Sequence, residues 1–295
     1  MADQSMINSI KILRDRTGAG MMDCKKALEE NKGDIEKSIE WLRTKGIAKA
    51  SAKSTRVAAE GLTTIKVCDC KCGNKAVIVE VNSETDFVSR SDSFKTLVDE
   101  IGALIIKKAP KTLDEAIAVT NTLITDATVK IGEKLSLRRF EIVEKTDDDS
   151  FGIYLHMGGK IGVLLVAKNA NAEDLKGVAM HIAANAPLYV RITDIPKDVR
   201  ETEARVQKEL ALKDEKITSK PKDLQEKIIA SKIDSVLGET VLYEQGYILT
   251  DGKEKVGKVL NNKKMEVVSF IRYKVGEGIE KREENFAEEV MKQTV

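Results

Sequence analysis

Few residues in this 295-residue chain have the types and spacing that chemistry needs. Cys68, Cys70 and Cys72 alternate along what reads as a strand, so three thiols share one face. A zinc site needs a fourth ligand and usually separates its paired cysteines by about two to four residues, so these read more simply as small strand residues that stay reduced. His156 and His181 are the only imidazoles, and a lone His on a helix is more often a core or surface residue than a base. Glu80, Glu84 and Asp86 could form an acid pair, but strand alternation turns Glu80 away from the turn that carries the other two. Gly18 and Gly20 lack both a preceding strand and a following Lys-Ser/Thr, so they do not form a phosphate loop. With no nucleophile elbow or paired-histidine motif either, the expectation is no enzyme, no cofactor and no metal.

The informative stretch is Ser83-Glu84-Thr85-Asp86-Phe87-Val88-Ser89-Arg90, which follows the apolar run Ala76 to Val81. Aromatic residues make up 4% of the chain, so a Phe among charged and hydroxyl side chains past a strand end stands out. Either its ring is offered to a partner, where burial is worth about 1.5–3 kcal/mol, or it folds back beneath the next helix. The 49 basic and 48 acidic residues leave a net charge of +1, which argues against a nucleic-acid binder. No apolar run reaches the length of a membrane span, and Met1 to Ser5 lack the pattern of a leader, so a cytoplasmic protein without membrane contact is expected.

The elements that position these residues imply an α+β fold. Residues 1–46 read as a three-helix bundle of the ubiquitin-associated type: Met6, Ile7, Ile10 and Leu13 keep helical spacing behind a Ser5 cap, Met21 to Glu30 form a second helix, and Asp34 caps a third that Gly46 closes. Residues 47–60 read as a mobile or helical linker. In residues 61–146, a hairpin turned about Lys71 to Asn74 leads to the polar turn, to a helix ending at Ala109-Pro110, to a helix boxed by Thr112 and Glu115, and to a strand over Ser136 to Lys145. Residues 147–195 repeat the plan: a hairpin turns at Gly158-Gly159-Lys160, and a helix from Ala172 ends at Ala186-Pro187. Residues 196–238 form an antiparallel helical hairpin, broken near Thr218 to Pro221, that either braces the body or mediates homodimerisation. Residues 239–295 complete the second unit with a strand over Val267 to Val275 and a last helix from about Glu283 to Lys292. The two units are thus related α+β subdomains with helices on antiparallel sheets.

Four segments, Leu13 to Leu28, Thr85 to Val88, Met180 to Ala184 and Val275 to Lys281, resemble in order and spacing the elongation factor Ts family, the guanine nucleotide exchange factors of elongation factor Tu. Ser89 and Gly246-Tyr247 depart from the family pattern. The resemblance implies that Thr85, Asp86, Phe87 and Val88 form a wedge that disturbs the partner's Mg²⁺ site, with Phe87 as the ring and Asp86 as the displacing acid. It also implies that Arg14, Met21, Met22 and His181 contact the partner's GTPase domain. The rival reading is a ubiquitin-type adaptor or a scaffold without exchange activity, which accounts for residues 1–46 and leaves the wedge unexplained.

Overall fold

The computed structural model describes residues 2–17, 19–53, 55–69 and 73–280. Three helices, α1 (Ala2–Thr17), α2 (Met21–Glu30) and α3 (Ile35–Ala52), open the chain. They close a small core of Leu13, Ala19, Cys24, Ala27, Leu28 and Leu42. Ser5 lies inside α1 and does not cap it, because nothing in Ala2-Asp3-Gln4 opposes helix. Gly46 does not close α3, which runs on to Ala52. A Cβ at Gly46 would stand 2.7 Å from a Val129 methyl, so this glycine lets α3 approach its neighbour closely instead of ending a helix.

The body is built from two units of one design. In the first, β1 (Glu60–Val67), β2 (Lys75–Ser83) and β3 (Ser136–Glu144) form an antiparallel sheet. Between β2 and β3 run the short α4 (Asp86–Arg90), then α5 (Asp92–Lys108) and α6 (Leu113–Ile131). Thr112 caps α6 by accepting from the Glu115 N–H, while the Glu115 carboxylate accepts from the Lys111 N–H. In the second unit, β4 (Asp149–His156), β5 (Ile161–Lys168) and β6 (Glu266–Lys274) form a sheet of the same order and sense. Helix α7 (Ala172–Asn185) follows its hairpin. Each central strand shifts register once against the third strand, at Glu80/Val81 and at Val166/Ala167. Helices α5 and α7 both end on a left-handed alanine before proline, at Ala109 (φ 47°) and Ala186 (φ 46°).

Alternation along the central strands explains how the units join. Val77, Val79 and Val81 face α5 and α6 with Phe94, Leu97 and Ile101, while Val163, Leu165 and Ala167 face α7 with Leu175, Val178 and Ile182. The residues between them meet across the gap: Ile65, Ala76 and Ile78 of the first sheet pack on Leu164 and Tyr273 of the second. The order is helix, sheet, sheet, helix, and β2 and β5 are buried on both faces.

At one end of this apolar seam lies Glu80, completely buried. Its carboxylate accepts from Arg138 Nη1 at 2.9 Å, Arg139 Nε at 2.6 Å and the Gly276 N–H at 2.9 Å. The same two guanidinium groups donate onward to the Glu277 and Lys274 carbonyls at the end of β6. Arg139 also lies over the Tyr273 ring, 4.1 Å from its centroid, and burial pushes the Tyr273 hydroxyl up to about 12.

Residues 186–265 carry the remaining helices. α8 (Lys197–Leu212) packs against α10 (Lys222–Glu239), joined through the four-residue α9 (Glu215–Thr218), so the first break falls at Lys213-Asp214, ahead of Thr218. Ile195, Leu237 and Val241 root this hairpin on the body. Further out, Val206, Leu210, Leu212 and Leu224 are exposed. α11 (Val256–Asn262) leads into β6. Gly18, Cys70, Lys71 and Cys72, the last two from the first hairpin's turn, and the expected helix after Glu283 lie outside the described residues.

Glu80→Ala would leave two guanidinium groups facing each other with their shared acceptor gone. It is expected to destabilise the protein by about 3 kcal/mol in urea unfolding, whereas Glu36→Ala at the exposed Arg16 pair should shift the unfolding midpoint little.

Candidate functional site

The chain leaves β2 at Ser83, whose hydroxyl donates to the Thr85 carbonyl at 3.0 Å and starts the turn. Thr85 is extended (φ −119°, ψ 158°) and caps α4, its Oγ1 accepting from the Val88 N–H at 3.4 Å. Five residues are too few to hold a helix by backbone bonding alone, so the positions that anchor α4 matter. Val88 packs against the core of the first unit. Ser89 is buried, donates to the Asp86 carbonyl at 2.9 Å and accepts from Lys160 Nζ at 3.1 Å. At about 100° per residue, Phe87 lies nearly opposite Ser89. Its ring therefore points away from the body, and at 82% exposure it is the most exposed large apolar side chain among the described residues. The alternative in which Phe87 folds back beneath the next helix does not occur, because Val88 occupies that inward position and Ser91 caps α5 directly behind it.

The surrounding charges form pairs. Asp86 meets Arg90 at 2.8 Å, one turn apart on the exposed side of α4. Glu84 accepts from the Lys134 N–H at 2.5 Å and from Arg56 Nη1 at 3.3 Å. Glu133 accepts twice from one residue: Thr85 Oγ1 donates at 2.6 Å and the Thr85 N–H at 3.0 Å. Glu80, Glu84 and Asp86 thus do not form an acid pair. Glu80 belongs to the seam between the sheets, and the other two serve separate cations.

In the N-terminal bundle, Cys24, Ala27 and Leu28 of α2 face inward. Met21 and Met22 are 59% and 73% exposed, and Met22 lies across the helix from Cys24. Arg14 is also exposed, on α1. Burial pushes the Cys24 thiol up. The bundle sits on the body where α3 meets α6, with Lys53 Nζ donating to the Gly132 carbonyl.

His181 is completely buried. Its Nε2 lies 2.9 Å from Gln245 Oε1, and the Ile248 N–H donates to its Nδ1 at 3.3 Å. The imidazole is therefore a neutral internal brace for the loop at Gln245 to Ile248, with Tyr247 packed beside it at 5.7 Å between ring centroids. It presents no surface to a partner. Burial holds its pKa below 6.5, against a smaller opposing effect of the Gln245 hydrogen bond. Among the described residues, no three His, Cys, Asp or Glu side chains come together closely enough to hold a metal ion. Likewise no described helix is long and apolar enough to cross a membrane.

The sequence singles out Thr85 to Val88 but not the side chains that hold them. Gly132 does signal a helix end, and at φ 86° it closes α6. Nothing local indicates that the next residue reaches Thr85, 48 positions earlier.

An aromatic tip displayed on an anchored turn, with two exposed thioethers on an adjoining bundle, is apolar surface of the kind found at protein-binding sites. The family model described as Elongation factor TS matches residues 84–277, well over half of the chain. The chain belongs to that family: it is a nucleotide exchange factor for elongation factor Tu in translation elongation, and exchange of this kind needs no covalent chemistry.

Because folded His181 resists protonation while the unfolded chain takes up a proton below about pH 6.5, its contribution to stability is complete above that pH and is lost as pH falls through the folded-state value. Urea unfolding at about pH 7.5 and 5.5 should show a larger acid loss for the native chain than for His181→Gln, the slope with pH being the quantity compared.

Proposed function

We propose that the turn Thr85-Asp86-Phe87-Val88 is the part of the chain that loosens GDP in elongation factor Tu, by entering its GTPase domain beside the Mg²⁺ site. The observation that carries this reading is the display of Phe87: an exposed ring on a helix whose neighbouring residues are anchored to the body. A GTPase holds GDP through its phosphates and a Mg²⁺ ion, so a group that disturbs the surroundings of the ion weakens both. An exchange factor has only to bind the nucleotide-free state more tightly than the nucleotide-bound one, and linkage then weakens the nucleotide by the same factor. Phe87 supplies apolar area that is buried only in the complex. Asp86 supplies a carboxylate that Arg90 holds at the surface, where an exposed ion pair is worth at most about 1 kcal/mol and is readily exchanged for a new partner.

Arg14, Met21 and Met22 serve as a second contact on the same GTPase domain, which keeps the complex together while the wedge acts. His181 contributes through the loop it braces, since its ring is enclosed. The site of action is the cytoplasm, without direct contact to nucleic acid or membrane. The uncovered apolar residues of the α8–α10 hairpin support homodimerisation there. An adaptor role would use the bundle but gives Phe87 nothing to do.

Phe87→Ala is expected to slow release of fluorescently labelled GDP from Mg²⁺-loaded elongation factor Tu by about 10- to 150-fold, the rate equivalent of about 1.5–3 kcal/mol of lost ring burial, while affinity for the GDP-bound partner changes less. Equal losses in rate and affinity would remove the case for a dedicated wedge. For the hairpin, Leu210→Glu with Leu212→Glu should convert a dimer to a monomer in sedimentation equilibrium. A native chain that sediments as a monomer at every concentration would refute that assembly.

A further inference from the structure

From the contacts around Thr85, we infer that Glu133 is the positioning residue of the wedge: its carboxylate fixes the cap of α4 and so sets where the Phe87 ring points. This rests on the reading of Phe87 as the wedge.

The geometry is specific. Both Glu133 oxygens are spent on one residue, Oε1 accepting from the Thr85 hydroxyl and Oε2 from the Thr85 N–H. An ionised acceptor makes each bond stronger than a neutral one would, and two bonds to one residue fix its orientation as well as its position. The hydroxyl has a single proton. With that proton committed to Glu133, the oxygen's lone pairs turn toward the Val88 N–H, which is the capping bond of α4. Glu133 therefore decides the polarity of the cap through the Thr85 rotor, and Phe87 sits within the single turn so capped.

Three features show that the arrangement is held from outside α4. The helix has five residues, and its first turn carries the exposed ring, which gains nothing from packing in the free protein. Gly132 at φ 86° stops α6 and delivers Glu133 beside Thr85. The next residue continues the grip: the Lys134 N–H donates to Glu84, and Lys134 Nζ donates to the Arg56 carbonyl at 2.8 Å. The loop Gly132-Glu133-Lys134 thus ties the wedge base to the segment that leads from the N-terminal bundle, which Lys53 also joins at the Gly132 carbonyl. A rigid mount matters because the ring must arrive oriented; a ring on a frayed turn would order itself only at the cost of rate.

The test compares the full chain with Glu133→Ala, Glu133→Gln, Phe87→Ala and the Glu133→Ala/Phe87→Ala double variant, by release of fluorescently labelled GDP from Mg²⁺-loaded elongation factor Tu and by amide hydrogen exchange across residues 84–91. Glu133→Ala should lower the release rate at saturation about tenfold and move the half-saturating concentration less than about threefold, since other contacts hold the complex. The double variant should be no slower than Phe87→Ala, because the clamp acts only through the ring. Glu133→Gln, which keeps the shape and the α6 terminus but turns an NH₂ toward one of its partners, should fall between native and Glu133→Ala. The Thr85 and Val88 amides should exchange at least about tenfold faster in Glu133→Ala, with α5 and α6 unchanged. A Glu133→Ala rate within about twofold of native beside a slow Phe87→Ala, or losses that multiply in the double variant, would overturn the inference. If Phe87→Ala itself leaves the rate unchanged, the wedge reading falls. Amide exchange then judges the clamp by itself: faster Thr85 and Val88 exchange sustains it and unchanged exchange overturns it.

Discussion

A carboxylate with no contact to water holds the two halves of this protein in register. Glu80 projects from β2 into the space between the sheets, where an ionised group survives only if its lone pairs are filled. Two guanidinium groups and one peptide N–H fill them, and both guanidinium groups continue to backbone carbonyls at the end of β6. Ile65, Ile78, Leu164 and Tyr273 supply the apolar attraction between the sheets, but such contacts fix no unique register. The planar donors around Glu80 do, because each points in one direction. β2 leaves this junction and runs directly into Glu84 and Thr85, so the lock also sets the platform on which the Phe87 turn stands.

The two units share strand order, a register shift and a helix ended by left-handed alanine, and they differ in what is inserted between these elements. After β5 the chain passes through Asn169, Ala170 and Asn171 straight into α7. After β2 it passes through α4, the inserted turn that carries Phe87. Between helix and third strand the first unit holds α6, whose end delivers Glu133, and the second holds the long α8–α10 hairpin. A repeated scaffold thus supplies rigidity, and each unit carries its own insertion.

Display of the ring depends on opposition within one helical turn. Val88 and Ser89 are drawn to the body, by packing and by Lys160, and that leaves Phe87 facing outward. The charged residues around it are satisfied in pairs, so the tip can stay in water while the aromatic face remains open. On the bundle, Met21 and Met22 stand out for a related reason: the inward stripe of α2 begins only at Cys24, and Met22, two residues before it, falls on the opposite side of the helix.

Much of the fold was legible along the chain because its signals are local. Alternating apolar runs gave the strands, the Thr112 and Glu115 box and the Ala-Pro stops gave helix ends, and the motif around Phe87 was visible as an aromatic residue in the wrong company. Where local signals misled, a distant partner had intervened. Gly46 reads as a helix stop, yet it is the gap that admits Val129. His181 and Glu80 look alike as lone polar residues, and only packing shows one enclosed by Gln245 and Ile248 and the other by two arginines. By itself the sequence determined the elements and singled out the turn at Phe87, since each depends on residues within a few positions of one another; that the ring faces outward rests on Val88 and Ser89 being drawn to the body. The pairing of the sheets, the burial of His181 and the grip of Glu133 on Thr85 were decided only by tertiary structure, because they join groups that side-chain pattern cannot relate until the chain has folded back on itself.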